Sequence, residues 1–207
     1  MLVLFMGPTA SGKTTLMKKL CNEYGYKPVV RVTTRERREN EVDGEDYAFI
    51  SLQKFKEMQG INSFVEVEEY SDNRFYATRK DSFNVSFNDK ICSTITPSGL
   101  LQLCLSDLNF DKIGQVLLVH CYCSLKTQIL RYAGRVSDFT VSDKLEMCDR
   151  LARDEGMFKG VSAVISAAKR INPFIHPFNV NSDLMGVDKQ AEVLADCIEK
   201  IERMANK

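Results

Sequence analysis

The 207-residue chain lacks net charge: 28 lysines and arginines stand against 28 aspartates and glutamates. That balance excludes a global field drawing the protein to nucleic acid or an anionic membrane, so any basic function has to be local. No apolar stretch approaches the roughly 20 residues a membrane-spanning helix needs. Met1 leads into the first apolar run without a charged leader region or a cleavage site. The expectation is a cytoplasmic protein with neither a membrane nor a nucleic-acid partner. Internal repeats and low-complexity tracts are missing, and the length suits one large domain with small subdomains. Ligand spacing for a metal is missing too. The seven cysteines are odd in number and scattered through apolar segments, which fits buried free thiols better than disulfides or zinc. The one cluster, His120-Cys121-Tyr122-Cys123, continues the apolar run 116–119. As a strand it puts Cys121 and Cys123 on one face and His120 on the other, so the three cannot close on one metal.

What the chain does have is Gly7-Pro8-Thr9-Ala10-Ser11-Gly12-Lys13-Thr14, a complete G-x-x-x-x-G-K-[ST] phosphate-binding loop. Its fixed positions coincide by chance on the order of once in a hundred chains of this length. The context fits as well. Leu2–Met6 reads as a buried strand, and Thr14-Thr15-Leu16-Met17-Lys18-Lys19-Leu20 has apolar residues at helical spacing. In such a loop the glycines let successive N–H groups point at phosphate oxygens, Lys13 reaches the outer phosphates and the Thr14 hydroxyl ligates magnesium. A helix starting here adds its positive end. Bound nucleoside triphosphate with Mg²⁺ is the expectation.

Apolar runs alternate with helix-patterned segments, which predicts an α/β fold with a largely parallel sheet. Strands are expected at Leu2–Met6, 29–32, 90–95, 115–121 and 175–180. Helices are expected to about Tyr24, then at 97–105, 124–133 and 142–168, and from Val187 onward. Thr96 and Pro97 suit a cap and a first turn. The short β-like pieces around 64–76 predict a small subdomain inserted into the main sheet.

Arg31, Arg35, Arg37 and Arg38 fall within eight residues and suit a forked clamp for phosphate. Glu36, Glu39 and Glu41 nearly cancel them, so spacing alone leaves a solvated charged loop equally open. The segment Thr33 to Tyr47, T-T-R-x-x-R-x-x-E-x-D-G-x-D-Y, resembles the nucleotide-binding signature of guanylate kinases. Gly7-Pro8 with Gly12-Lys13 is similar to the family's G-P-S-x-x-G-K, Phe64-Val65-Glu66 to its F-[LI]-E, and Tyr76-Ala77-Thr78 to its Y-G-[ST]. Arg150-Leu151 resembles the R-L pair after the lid, and Val180-Asn181-Ser182-Asp183-Leu184 resembles V-N-D-D-L. These motifs keep the family's order over about 180 residues.

The resemblance implies a P-loop parallel sheet flanked by helices, with a core of about 1–32, 88–130 and 150–207. It also implies a monophosphate-binding subdomain of about 33–87 and a lid of about 131–149. Residues 7–15 and Asn181 would hold ATP. Arg35 and Arg38 would hold the phosphate of a nucleoside monophosphate, with Tyr47 and Tyr76 adding hydroxyl hydrogen bonds. Glu66 would accept from N1 and the amino group of guanine, and Thr78 would bond the base or its surroundings. Lys13, Arg131, Arg135 and Arg150 would absorb charge during transfer. For the lid arginines a helix C-terminus decorated with basic residues is the plainer alternative. The implied substrates are ATP with Mg²⁺ and GMP or dGMP, on a monomer or homodimer.

Several positions depart from the family pattern. Thr94 and Thr96 stand where it carries the aspartates of a D-x-D. Arg31 replaces a serine, Arg37 a proline and Ala77 a glycine, and one extra residue lies between Glu66 and Tyr76. Arg31 is expected to reach the base or the phosphate in place of the serine hydroxyl. Two other functions stay open: a kinase for another nucleotide or a ribose phosphate, and a catalytically inactive protein-interaction module.

Overall fold

The computed structural model describes residues 1–39, 41–71, 73–83, 89–134 and 139–205. In chain order the elements are β1 (Leu2–Met6), α1 (Lys13–Tyr24), β2 (Lys27–Pro28), β3 (Val32–Thr33), β4 (Ala48–Phe49), α2 (Leu52–Gly60), β5 (Phe64–Ser71) and β6 (Arg74–Arg79). A 3₁₀ turn (Lys80–Phe83) leads on to β7 (Ile91–Thr94), α3 (Pro97–Leu105), α4 (Phe110–Ile113), β8 (Val116–Tyr122) and α5 (Leu125–Ala133). The chain closes with α6 (Val141–Phe158), α7 (Val161–Ile171), β9 (Ile175–Asn181) and α8 (Val187–Ala205). Among the described residues no helix is long and apolar enough to cross a membrane.

Five strands form a wholly parallel sheet in the order β2-β7-β1-β8-β9. β1 lies at its centre, and all five of its side chains are buried because both faces of the sheet are covered. Val3 and Phe5 pack with Leu16 and Leu20 of α1 and with Leu194 and Ile198 of α8. Leu2, Leu4 and Met6 face the other way, onto Leu100 and Leu103 of α3 and Ala168 of α7. Each large apolar side chain so buried contributes about 1.5–3 kcal/mol, so the strand that carries the phosphate-binding motif is firmly anchored. This is the α/β fold expected.

A second, mixed sheet has the order β4-β3-β6-β5. Its small core is Val32, Phe55, Phe64 and Ala77, with Phe55 of α2 stacked between Phe64 and Phe75. Ala77 is fully buried, so its methyl group is packing material. The ladder between β5 and β6 shifts register between Glu69 and Ser71, inside the stretch that has one residue more than the family pattern.

Two expected elements come out differently. The strand expected over 29–32 is instead a crossing between sheets: Val29 N–H still donates to Cys92 of β7, whereas the Arg31 carbonyl already accepts from Ala48 of β4. The helix expected over 142–168 breaks at Lys159-Gly160. Gly160 has φ +73° and is the N-cap of α7. That left-handed conformation disfavours a side chain by about 1–2 kcal/mol. Gly160→Ala is therefore expected to lower stability by that amount in urea denaturation, and an unchanged midpoint would contradict the reading of the break.

Candidate active site

The loop after β1 is shaped by close approach. A Cβ on Gly7 would lie 2.0 Å from the carbonyl oxygen of Cys121, so only glycine lets the chain turn over the end of β8. Ala10 adopts φ +60° and Gly12 φ +94°, which curls the backbone into a cradle. Lys13 Nζ donates across it to the Pro8 carbonyl at 2.7 Å. α1 then begins with no side-chain cap and no acidic residue in its first turn. Its first N–H groups and positive end therefore suit an anion such as a polyphosphate. Thr14 and Thr15 are exposed at this turn, so the Thr14 hydroxyl is accessible to a cation carried by that anion.

Residues distant in sequence close around the cradle. Arg131, in the last turn of α5, donates from Nη1 to the Ala10 carbonyl at 3.2 Å and to Ser182 Oγ at 2.8 Å. Ser182 Oγ in turn donates to the Ser11 carbonyl at 3.1 Å. From α6 the carboxylate of Asp154, 5% exposed, accepts from the Thr9 N–H at 2.5 Å. Tyr70 of β5 lies beside both Thr9 and Asp154, and its pKa is raised by burial and by the Asp154 charge. The Arg153 guanidinium covers the Tyr70 ring at 4.2 Å.

The other cluster sits on the second sheet. Glu66 of β5 pairs in register with Thr78 of β6, and Tyr76 lies two residues before Thr78 on the same face. Thr78 Oγ1 donates to Glu66 Oε1 at 2.6 Å, and Arg31 Nη2 donates to the same oxygen at 2.7 Å. Glu66 is 2% exposed and Arg31 7%. Burial opposes the Arg31 charge, but Glu66, aided by Tyr47 and Tyr76, outweighs it and leaves the pKa above its ordinary value. Breaking such a buried pair from one side costs about 3–5 kcal/mol.

Next to it, Arg35 grips Glu41 with both Nη groups, at 2.7 and 2.5 Å, and donates from Nε to Tyr76 Oη at 3.2 Å. Its guanidinium lies 5.2 Å from the centroid of the Tyr47 ring. The hydrogen bonds from Arg35 hold the Glu41 carboxyl below its ordinary range. Burial pushes the Tyr47 hydroxyl up.

The structure thus brings together Arg31, Arg35, Tyr47, Glu66, Tyr76 and Thr78, and separately gathers residues 7–14 with Arg131. Arg38 is at the edge: its side chain is 59% exposed, with Nη1 3.9 Å from Glu41. Arg150 is turned to Glu146 on its own helix, at 2.6 Å, and lies over the Tyr132 ring. Asn181 caps a turn by accepting from the Asp183 N–H at 3.0 Å, while its neighbour Ser182 is the residue that touches the loop. Arg135 lies outside the described residues. Thr96 caps α3 as expected, accepting from the Gly99 N–H at 3.0 Å. Its hydroxyl also donates to Glu68 at 3.1 Å, and Ser98 donates to the same oxygen. A carboxylate therefore stands beside the position where the family's aspartates are replaced, supplied from β5. Asp154 and Glu68 carry no local sequence signal, and Ser182 is marked only by lying in the segment that resembles V-N-D-D-L; the roles of all three arise from contacts across 28 or more residues.

A strand–loop–helix cradle on the central strand of a parallel sheet defines a P-loop protein of the α/β class. The family model described as guanylate kinase matches residues 1–94, a span containing the cradle and the Arg31–Thr78 cluster. A guanylate kinase of Rhodopirellula baltica is 36% identical over 90 residues, covering 42% of this chain and 43% of that protein. One of Bartonella quintana is 36% identical over 138 residues, covering 66% of this chain and 61% of that protein. The first of these matches thus spans less than half the relative's length. The crystal structure of a guanylate kinase from Anaplasma phagocytophilum superposes with a TM-score of 0.57 at 16% identity, covering 96% of this chain and 84% of that one, which speaks for the fold. The N-terminal part of the chain is thus similar to guanylate kinases in sequence, and the whole described chain shares their fold.

The Asp154 carboxylate places a negative charge on the loop that suits an anion. Asp154→Asn keeps the shape and removes the charge, so it is expected to tighten binding of a polyphosphate probe such as tripolyphosphate by about tenfold. Titration calorimetry checks this, and weaker binding would contradict it.

Proposed function

We propose that the protein transfers the γ-phosphoryl group of ATP to GMP or dGMP, giving ADP and the diphosphate. The observation that carries this reading is the presence, in one chain, of an open phosphate cradle and a second cluster in which a buried carboxylate is flanked by arginines and tyrosine hydroxyls. The reading divides the chain into a core of about 1–32, 88–130 and 150–207, an acceptor-binding part of about 33–87 and a lid of about 131–149.

In this reading residues 7–15, Lys13 among them, hold the triphosphate, with Asn181 alongside. Arg131, which already touches the Ala10 carbonyl, is better placed than Arg150 to neutralise charge as the phosphoryl group moves. Arg150 contributes once released from Glu146, together with Arg135. When bound with ATP and touching the Thr14 hydroxyl, Mg²⁺ supplies charge neutralisation at the phosphates. Arg35 and Arg38 grip the acceptor's phosphate, Tyr47 and Tyr76 orient it, and Glu66 and Thr78 face its base. Transfer needs no covalent residue. Positioning donor and acceptor in line and stabilising the developing charge are sufficient.

A panel of monophosphates in a coupled ADP-release assay tests this. ADP release that depends on GMP or dGMP is expected, with Lys13→Ala lowering turnover by about 100-fold or more while the fold survives. ADP release independent of any monophosphate, or full activity without Lys13, would contradict it.

The Glu41 carboxylate occupies the Arg35 fork that the acceptor's phosphate needs, so binding is an exchange of one anion for another. Glu41→Gln is therefore expected to tighten GMP binding roughly tenfold. Equilibrium titration reads the change, and a loss of affinity would instead assign Glu41 a supporting role.

A further inference from the structure

The buried carboxylate of Glu66 is used unevenly. Oε1 receives two donors, Arg31 Nη2 at 2.7 Å and Thr78 Oγ1 at 2.6 Å. A carboxylate oxygen offers about two lone-pair sites, so Oε1 is filled. Oε2 is buried and has no hydrogen-bond partner among the described residues. An unpaired buried oxygen of this kind is costly unless a ligand completes it. Arg31 is equally lopsided. Its Nε donates to Thr78 at 3.3 Å and one Nη2 hydrogen goes to Glu66. Its remaining N–H groups make no hydrogen bond among the described residues.

The chemistry of the pair is informative. A guanidinium carries parallel N–H groups like those on the N1 and 2-amino edge of guanine. Arg31 thus takes on Glu66 the oxygen that the second N–H of such a base needs for a straight hydrogen bond. What remains on the pair is one acceptor, Glu66 Oε2, which lies against Gly99 of α3, and the Arg31 N–H groups that carry no hydrogen bond among the described residues.

We infer that Arg31 is a specificity-determining residue that makes the acceptor pocket read the N1–H and 6-carbonyl of a purine and disregard the 2-amino group. Hypoxanthine and guanine present the same N1–H and carbonyl and are bound nearly alike. Adenine is rejected, because it presents a 6-amino donor to the guanidinium and an unprotonated N1 to the carboxylate. The inference rests on the monophosphate-acceptor reading above and adds to it which part of the base is recognised.

Equilibrium binding of GMP, IMP and AMP to the full chain tests it independently of turnover. The expected result is a GMP preference over IMP of about tenfold or less, with AMP bound roughly 100-fold more weakly than either. In Arg31→Ser, Oε1 regains room for the 2-amino group, and the GMP preference over IMP is expected to rise to roughly 100-fold. Circular dichroism checks that this variant folds, since it strips Glu66 of its buried counter-charge. Where it does not fold, the wild-type ratios decide. A wild-type GMP preference over IMP of about 100-fold or more, AMP bound as well as GMP, or a folded Arg31→Ser with unchanged ratios would overturn the inference while leaving the acceptor reading standing. Failure of all three nucleotides to bind would overturn both.

Discussion

Gly7 against the Cys121 carbonyl is the constraint on which the rest of the site depends. β1 is fixed between β7 and β8 by ladders on both sides and by cores on both faces. Its continuation must turn sharply over the end of β8, and a single Cβ there would sit 2.0 Å from a backbone oxygen. Because the sheet is parallel, its neighbours end at the same edge. β7 runs out toward Thr96 and the capped start of α3, β8 toward Arg131 through α5, and β9 directly into Ser182. One glycine contact thus fixes the cradle, and the strand ends bring the remaining groups to it.

A second regularity concerns charge. The chain's positive and negative charges are equal in number, and the balance holds locally as well. Arg31 holds Glu66, Arg35 holds Glu41, Arg150 holds Glu146, and Asp154 sits on a loop N–H. In the proposed reaction the incoming phosphates therefore exchange with internal carboxylates. Such exchange costs less selectivity than it does affinity: a competing carboxylate weakens every phosphate ligand alike, whereas its position decides which base edge can be read. Among the three ion pairs the Glu66 carboxylate is the most deeply buried, 1% exposed against 16% for Glu41 and 48% for Glu146, and in the proposed reading its effect falls on recognition of the base.

The loop was legible in the sequence because its geometry is local: glycines, lysine and threonine at fixed spacing between a buried strand and a helix. The same holds for the Thr96-Pro97 cap and for the strands at 2–6, 91–94 and 116–122, whose apolar runs match a sheet covered on both faces. The acceptor cluster was legible only through resemblance, since Arg35, Glu66 and Tyr76 meet across strand pairing that spacing does not encode. The break at Gly160 was missed because a helical pattern continues on both sides of it and a single glycine does not announce its φ. Asp154 was missed for a deeper reason. Its partner Thr9 is 145 residues away, and a lone aspartate on an amphipathic helix looks like any solvated charge.

The most direct test of a donor cradle serving an acceptor cluster is to follow phosphorus itself. In ³¹P NMR of the protein with ATP, Mg²⁺ and GMP, loss of the ATP γ resonance is expected to be matched one for one by a new diphosphate β resonance from GDP, beside that of ADP. Appearance of the γ-phosphorus only as inorganic phosphate, or no change in the presence of GMP, would contradict transfer between the two sites.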